Sequence, residues 1–179
     1  TFLYIGDRTV IREFASINKG TSALGKTEIG SDCLLMASVH VAHDCVVGNN
    51  VIMSNLTTLG GHVNIDDWVI LSGGVLVHQF CNISKHAFIG AGALVTQDVP
   101  PFILAAGSPT EYSGINSVGL KRRGFSIDDR RELKKIYNLY FRSKNNRKEN
   151  LLKIKKELAS LKYTDLIVEF IENSERGII

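Results

Sequence analysis

Four of the chain's five histidines, His40, His43, His62 and His78, fall in one stretch, and only His86 lies beyond it. An imidazole has an unperturbed pKa of ~6.5, so it exchanges protons near neutral pH, and an adjacent carboxylate can orient the ring and steady its cation. Asp44 follows His43 directly, and Gln79 follows His78. General acid–base chemistry is one use of such a group. Zinc binding by three imidazoles is another, and a lone outward histidine is most often simply solvated. The choice turns on whether these residues meet in space, and so on the elements that carry them.

A period of six reveals those elements. Every sixth residue from Ile5 to Val95 is Ile, Leu, Val or Met, apart from Ala23. The residue four places after each, from Thr9 to Val99, is never larger than valine. A helix repeats at 3.6, and simple strand alternation would not separate large from small so strictly. Such columns are expected of a parallel β-helix, in which each flat side points one large and one small side chain inward. Gly6, Gly30, Gly48, Gly60 and Gly90 follow the large residue, where a corner favours a small one.

With three hexapeptides, 18 residues, per coil, His43 stacks on Gly61 and Gln79, Asp44 on His62 and Phe80, and Gly60 on His78. His43, Asp44, His62, His78 and Gln79 are thereby expected on one flank within two coil steps. The cysteines fit the same frame, because Cys33, Cys45 and Cys81 all occupy the small-residue column. Cys45 and Cys81 are two coils apart, ~10 Å at ~4.8 Å per coil, beyond disulfide reach. They read as core thiols in a reducing compartment, and no close Cys/His spacing suggests a zinc site.

The chain has 179 residues, 44% apolar and 22% charged, values that exclude a disordered or fibrous class. No apolar run approaches the ~18 to 20 residues of a membrane helix, so a soluble protein without a transmembrane segment is expected. The pattern at Thr1 opens in mid-repeat, which suggests that further coils precede it. The repeat fades at Pro100-Pro101, so we expect a β-helix over 1–109 and a helical domain over 110–179. Ser126 with Asp129 makes a capping-box variant ahead of a stripe of Leu133, Ile136, Tyr137 and Tyr140. Leu151, Ile154, Leu158 and Leu161 suggest a second helix, and Leu166, Ile167, Phe170 and Ile171 a third. The net charge of +3 hides a body with more Asp and Glu than Lys and Arg and a tail, from 121 on, with the reverse excess. A basic tail suits an acidic partner or phosphates, although scattered Lys and Arg are commonly a solvated face.

The strings His40-Val41-Ala42-His43-Asp44-Cys45, Gly60-Gly61-His62-Val63 and Val77-His78-Gln79-Phe80-Cys81 carry a resemblance. With Asn116 and Gly119-Leu120-Lys121-Arg122-Arg123-Gly124-Phe125-Ser126, they resemble the UDP-N-acetylglucosamine O-acyltransferase family of lipid A biosynthesis. The likeness runs over essentially the whole chain. It implies a left-handed parallel β-helix, a homotrimer with sites between subunits, and a cytoplasmic enzyme of a Gram-negative bacterium. It also implies transfer of an (R)-3-hydroxyacyl chain from acyl carrier protein to the 3-hydroxyl of UDP-N-acetylglucosamine. By matching motifs, His43 would be the general base, Asp44 its orienting partner, and the Gly61 N–H an oxyanion donor. His40, His62, His78 and Gln79 would line the sugar and acyl groups. Asn116, Arg122 and Arg123 would serve the nucleotide.

No metal or cofactor is implied beyond the donor's phosphopantetheine arm, and no nucleic acid. The basic tail would then steer the acidic acyl carrier protein. Val118 stands where relatives often carry a glutamate near the nucleotide. Ala91 replaces a glycine that helps set acyl length, which leaves room for a somewhat shorter chain. A 3-amino UDP-sugar is a second acceptor open to the same base. From other classes, a zinc-dependent hydratase and a non-catalytic trimeric solenoid are the rivals.

Overall fold

The computed structural model describes residues 1–179. Fifteen short strands lie along the repeat. They are β1 (Phe2–Ile5), β2 (Val10–Ile11), β3 (Ser16–Ile17), β4 (Lys26–Ile29), β5 (Leu34–Leu35), β6 (His40–Val41), β7 (Val46–Val47), β8 (Ile52–Met53), β9 (Thr58–Leu59), β10 (Asn64–Ile65), β11 (Ile70–Leu71), β12 (Leu76–Val77), β13 (Asn82–Ile83), β14 (Phe88–Ile89) and β15 (Leu94–Val95). They wind into three parallel sheets: β1-β4-β7-β10-β13 forms the first face, β2-β5-β8-β11-β14 the second, and β3-β6-β9-β12-β15 the third. Each strand contributes only two or four residues, so its stability comes from its neighbours above and below. The inward column is what holds the stack: Leu35, Val41, Met53, Leu59, Leu71, Ile89 and Val95 have no exposed surface.

Between strands the chain turns a corner, and at nearly every one a single residue takes a left-handed conformation. From Asp32 to His86 these positions recur every six residues at φ of 57° to 70°, with glycine at Gly74 alone. Non-glycine side chains resist this region, Asp, Asn and His least. Asp44 and His62 occupy two of the positions, stacked on the corner between the third and first faces. The same corner geometry directs both side chains outward and one above the other.

The coil length of 18 holds from β4 to β15, as in Glu28↔Val46 and Asn64↔Asn82, but not before it. Phe2 pairs with Lys26, Val10 with Leu34 and Ser16 with His40, each an offset of 24. Six additional residues in the loop 18–25 account for the difference. Because six is one repeat unit, the insertion leaves the phase of the pattern intact and displaces Thr21 and Ala23 from the columns into the loop. Ala23, the one residue out of keeping with the large column, lies inside it.

After β15 come β16 (Ile103–Ala106), parallel to β14, and β17 (Glu111–Ile115), antiparallel to β16. The division at 109/110 therefore cuts a hairpin, and the second sheet continues to Ile115. Four helices follow: α1 (Ser117–Arg122), α2 (Ile127–Arg142), α3 (Arg147–Glu157) and α4 (Thr164–Glu172). Ser126 caps α2 through the reciprocal bonds expected of a capping box with Asp129. Helix α1 was not anticipated, since six residues are too few to show a stripe. The three cysteines are buried free thiols, as their column required. No helix is long and apolar enough to cross a membrane.

Candidate active site at a solenoid corner

Asp44 is the organising residue of the corner. Its side chain has no exposed surface, so its charge must be met by donors. Loop 18–25 supplies two: the Thr21 N–H donates to Oδ1 at 2.9 Å, and the Thr21 hydroxyl to Oδ2 at 2.5 Å. The third is His43, whose Nδ1 lies 2.8 Å from Oδ2. One coil earlier, the Thr27 hydroxyl accepts the Asp44 backbone N–H at 2.8 Å. Burial pushes the Asp44 carboxyl up, yet the bonds from Thr21 and His43 more than offset it and hold the group well below the usual carboxylate range.

An ionised carboxylate only accepts, so the proton shared with His43 resides on Nδ1. Nε2 of His43 is then left with its lone pair, on a ring that is partly exposed. The ring lies across Gly61. A Cβ at that position would stand 2.8 Å from His43 Cε1 and 3.0 Å from Nε2, so no larger residue fits without moving the imidazole. The Gly61 N–H donates to no acceptor in the chain. His62 packs edge-on to His43, centroids 5.3 Å apart, and stacks on Phe80 at 4.7 Å, which fixes it as a wall. Its Nε2 is 3.7 Å from Asp44 Oδ2, too far for a hydrogen bond.

The remaining expected residues divide into two groups. His40 is on β6, bonded through Nδ1 to Ser16 Oγ at 2.8 Å, and His78 and exposed Gln79 follow β12 on the same corner. A cavity of about 570 Å³ adjoins, lined by Leu24, Asp44, His62, Phe80, Asn173 and Arg176 among others. By contrast, Asn116 and Arg123 gather at the next corner, between the first and second faces, and exposed Arg122 precedes Arg123 as the last residue of α1. Arg123 lies over Trp68 at 5.1 Å and reaches His86 Nδ1 at 3.5 Å. Burial, with Arg123 and Lys85 nearby, lowers the His86 pKa to about 4.

Asn116 is buried and its amide is committed: Oδ1 caps α1 by accepting the Gly119 N–H at 3.1 Å, and Nδ2 donates to the His86 carbonyl at 3.0 Å. The two groups sit on different corners, Asn116 and Arg123 against His86 and Trp68, and His43 against Asp44 and His62, and no hydrogen bond or ring contact joins them within one chain. His43, Asp44 and His62 bring three potential ligand atoms within 4.8 Å. Asp44 Oδ2 already accepts hydrogen bonds from the Thr21 hydroxyl and from His43 Nδ1, so a cation bound through Oδ2 would compete with both.

Thr21, Ser16 and Thr27 were not anticipated; Thr21 and the Ser16–His40 pairing depend on the loop insertion, whereas Thr27 lies on β4 in the regular register. The insertion's one trace in the sequence is Ala23.

Known proteins place the chain. Residues 98–179 match the family described as UDP N-acetylglucosamine O-acyltransferase, domain 2, and residues 26–61 match the bacterial transferase hexapeptide family. The acyl-(acyl-carrier-protein)–UDP-N-acetylglucosamine O-acyltransferase of Myxococcus xanthus is 50% identical over 99% of this chain and 69% of its own length. That of Janthinobacterium sp. is 48% identical over 100% and 70%. The Francisella novicida UDP-N-acetylglucosamine acyltransferase structure superposes with a TM-score of 0.94 at 40% identity, over 99% of this chain and 65% of that one. This chain thus spans just under two thirds of that structure and slightly more of the two curated relatives.

Two expectations follow. Gly61→Ala should leave the fold intact but cut turnover by about 10²-fold, the scale of a misplaced catalytic group; steady-state kinetics at the wild-type rate would contradict the packing. Folding favours ionised Asp44, so its stabilisation is present above the ordinary Asp pKa of ~3.9 and is lost as pH falls below that towards the lower folded value. The gap in unfolding midpoint between wild type and Asp44→Asn should therefore narrow below about pH 4. A gap that stays constant down to about pH 2 would refute the depressed carboxyl.

Proposed function

This chain belongs to the UDP-N-acetylglucosamine O-acyltransferase family, and from that membership we propose that the His43 corner transfers an (R)-3-hydroxyacyl chain from acyl carrier protein to the 3-hydroxyl of UDP-N-acetylglucosamine. One observation carries the reading: Nδ1 of His43 is tied to a buried, ionised carboxylate, which leaves Nε2 free on a ring that packs against Gly61. In the reaction Nε2 takes the proton of the sugar hydroxyl as that oxygen attacks the thioester carbonyl. Asp44 stabilises the imidazolium that forms. The Gly61 N–H donates to the developing oxyanion, a term often worth ~10² or more in rate. As the tetrahedral intermediate collapses, the C–S bond breaks and the imidazolium gives its proton to the departing thiolate. No bound cofactor enters beyond the donor's phosphopantetheine arm.

His40, His62, His78 and Gln79 border the space where the acceptor and acyl chain would lie. Arg122 and Arg123 supply fixed charge for the nucleotide diphosphate, and Asn116 acts by shaping the segment that presents them. Since the two groups occupy different corners, one complete site draws on two copies of the chain, as in a trimer. The second face supports this, because Val10, Leu34, Ile52, Ile70, Phe88 and Leu104 form an unbroken apolar column along it. Such a surface marks a contact between proteins. The basic helical tail suits the acidic acyl carrier protein, and the free thiols suit the cytoplasm. The relatives' O-acyltransferase names favour the hydroxyl acceptor over the 3-amino one.

His43→Ala in the full-length protein should lower turnover by about 10² to 10⁴, with circular dichroism and oligomeric state unchanged. Near-normal transfer of the acyl chain by that variant would overturn the base assignment.

A further inference from the structure

After α4 the chain runs back along the solenoid as residues 173–179, and Asp98 ties this segment down. Asp98 is fully buried; its Oδ2 accepts the Ser174 hydroxyl at 2.6 Å, its N–H donates to the Gly177 carbonyl at 2.8 Å, and its carbonyl accepts the Ile179 N–H at 3.2 Å. Arg176 sits between those anchors and is delivered onto His78, 98 positions away in sequence. Its Nη2 donates to the Thr96 carbonyl at 3.0 Å and faces His78 Nδ1 at 3.1 Å. His78 lies one coil from Gly60, on the corner that carries His43.

A second group contacts the same ring nitrogen. The Gln79 carbonyl oxygen is 3.0 Å from His78 Nδ1. A guanidinium only donates, so it requires a lone pair on Nδ1; a carbonyl only accepts, so it requires a proton there. Nδ1 cannot satisfy both. A hydrogen bond from a charged donor is roughly twice as strong as a neutral one, so the guanidinium prevails.

We propose that Arg176 is a positioning residue that sets the tautomer of His78, leaving Nδ1 bare and the proton on Nε2. His78 then presents a hydrogen-bond donor to the space beside it. Without Arg176, the Gln79 carbonyl claims the proton for Nδ1, and Nε2 becomes an acceptor. Resting on the acyl-transfer reading of the corner, the partner of the Nε2 proton is an oxygen of the bound substrates. The C-terminal segment is thereby part of the site, although the repeat contributes none of it.

The test uses full-length protein labelled with ¹⁵N-histidine, at a pH where the imidazoles are neutral, with the His78 signals assigned by their loss in His78→Gln. The wild type should show His78 with an unprotonated Nδ1 and a protonated Nε2. Arg176→Lys, which still only donates, should keep that pattern, and Arg176→Met should invert it. A protonated Nδ1 in the wild type, or an unchanged pattern in Arg176→Met, would overturn the proposal, and the wild-type measurement decides even if a variant fails to fold. In kinetics, Arg176→Met should lower kcat/KM about tenfold, and should add little to the loss already caused by His78→Ala. An equal loss in both backgrounds would show that Arg176 does not act through His78. The tautomer readout involves no turnover, so it stands apart from any failure of the acyl-transfer reading.

Discussion

A carboxylate with no exposed surface persists only if donors surround it, and Asp44 has three: the Thr21 amide, the Thr21 hydroxyl and the His43 ring. Everything chemically useful at this corner follows from that requirement. The bond to Nδ1 fixes the His43 ring and decides which nitrogen is free, and the bonds to Thr21 draw the inserted loop onto the corner. Gly61 contributes by being small enough for the ring to lie across it.

The solenoid meets these demands cheaply. Every coil repeats the same corner, so chemistry needs only a substitution at a corner already built. Asp44 and His62 hold positions that Leu56, Trp68 and Phe80 hold elsewhere, with the same left-handed backbone. Changing the side chain there alters the surface without altering the core, where the large and small columns remain buried.

That separation also explains what could be read in advance. The core columns and the stacking of His43 on Gly61 and of Asp44 on His62 are periodic, and periodicity is visible in a sequence. Thr21 keeps the period in sequence but not in space: it stands in a loop whose six extra residues equal one repeat and so conceal themselves, with Ala23 as the single flaw. Asn116 could not be recognised as a helix cap, because α1 is too short to show a stripe and a cap has meaning only where a helix begins. Arg176 lies further out of reach, since its contact with His78 joins the C-terminal segment to the solenoid through the anchor at Asp98. The apolar column of the second face was likewise hidden, because outward residues follow no rule that the coil itself imposes.

The central claim is that the His43 proton lies between Nδ1 and Asp44, which leaves Nε2 free for the proposed role of base. Proton NMR of the full-length protein reads this directly, because an imidazole N–H bonded to a carboxylate resonates far downfield. The account predicts one such signal, coupled to Nδ1 of His43 and absent from Asp44→Asn. A His43 proton found on Nε2, or a downfield signal that survives loss of the carboxylate, would contradict it.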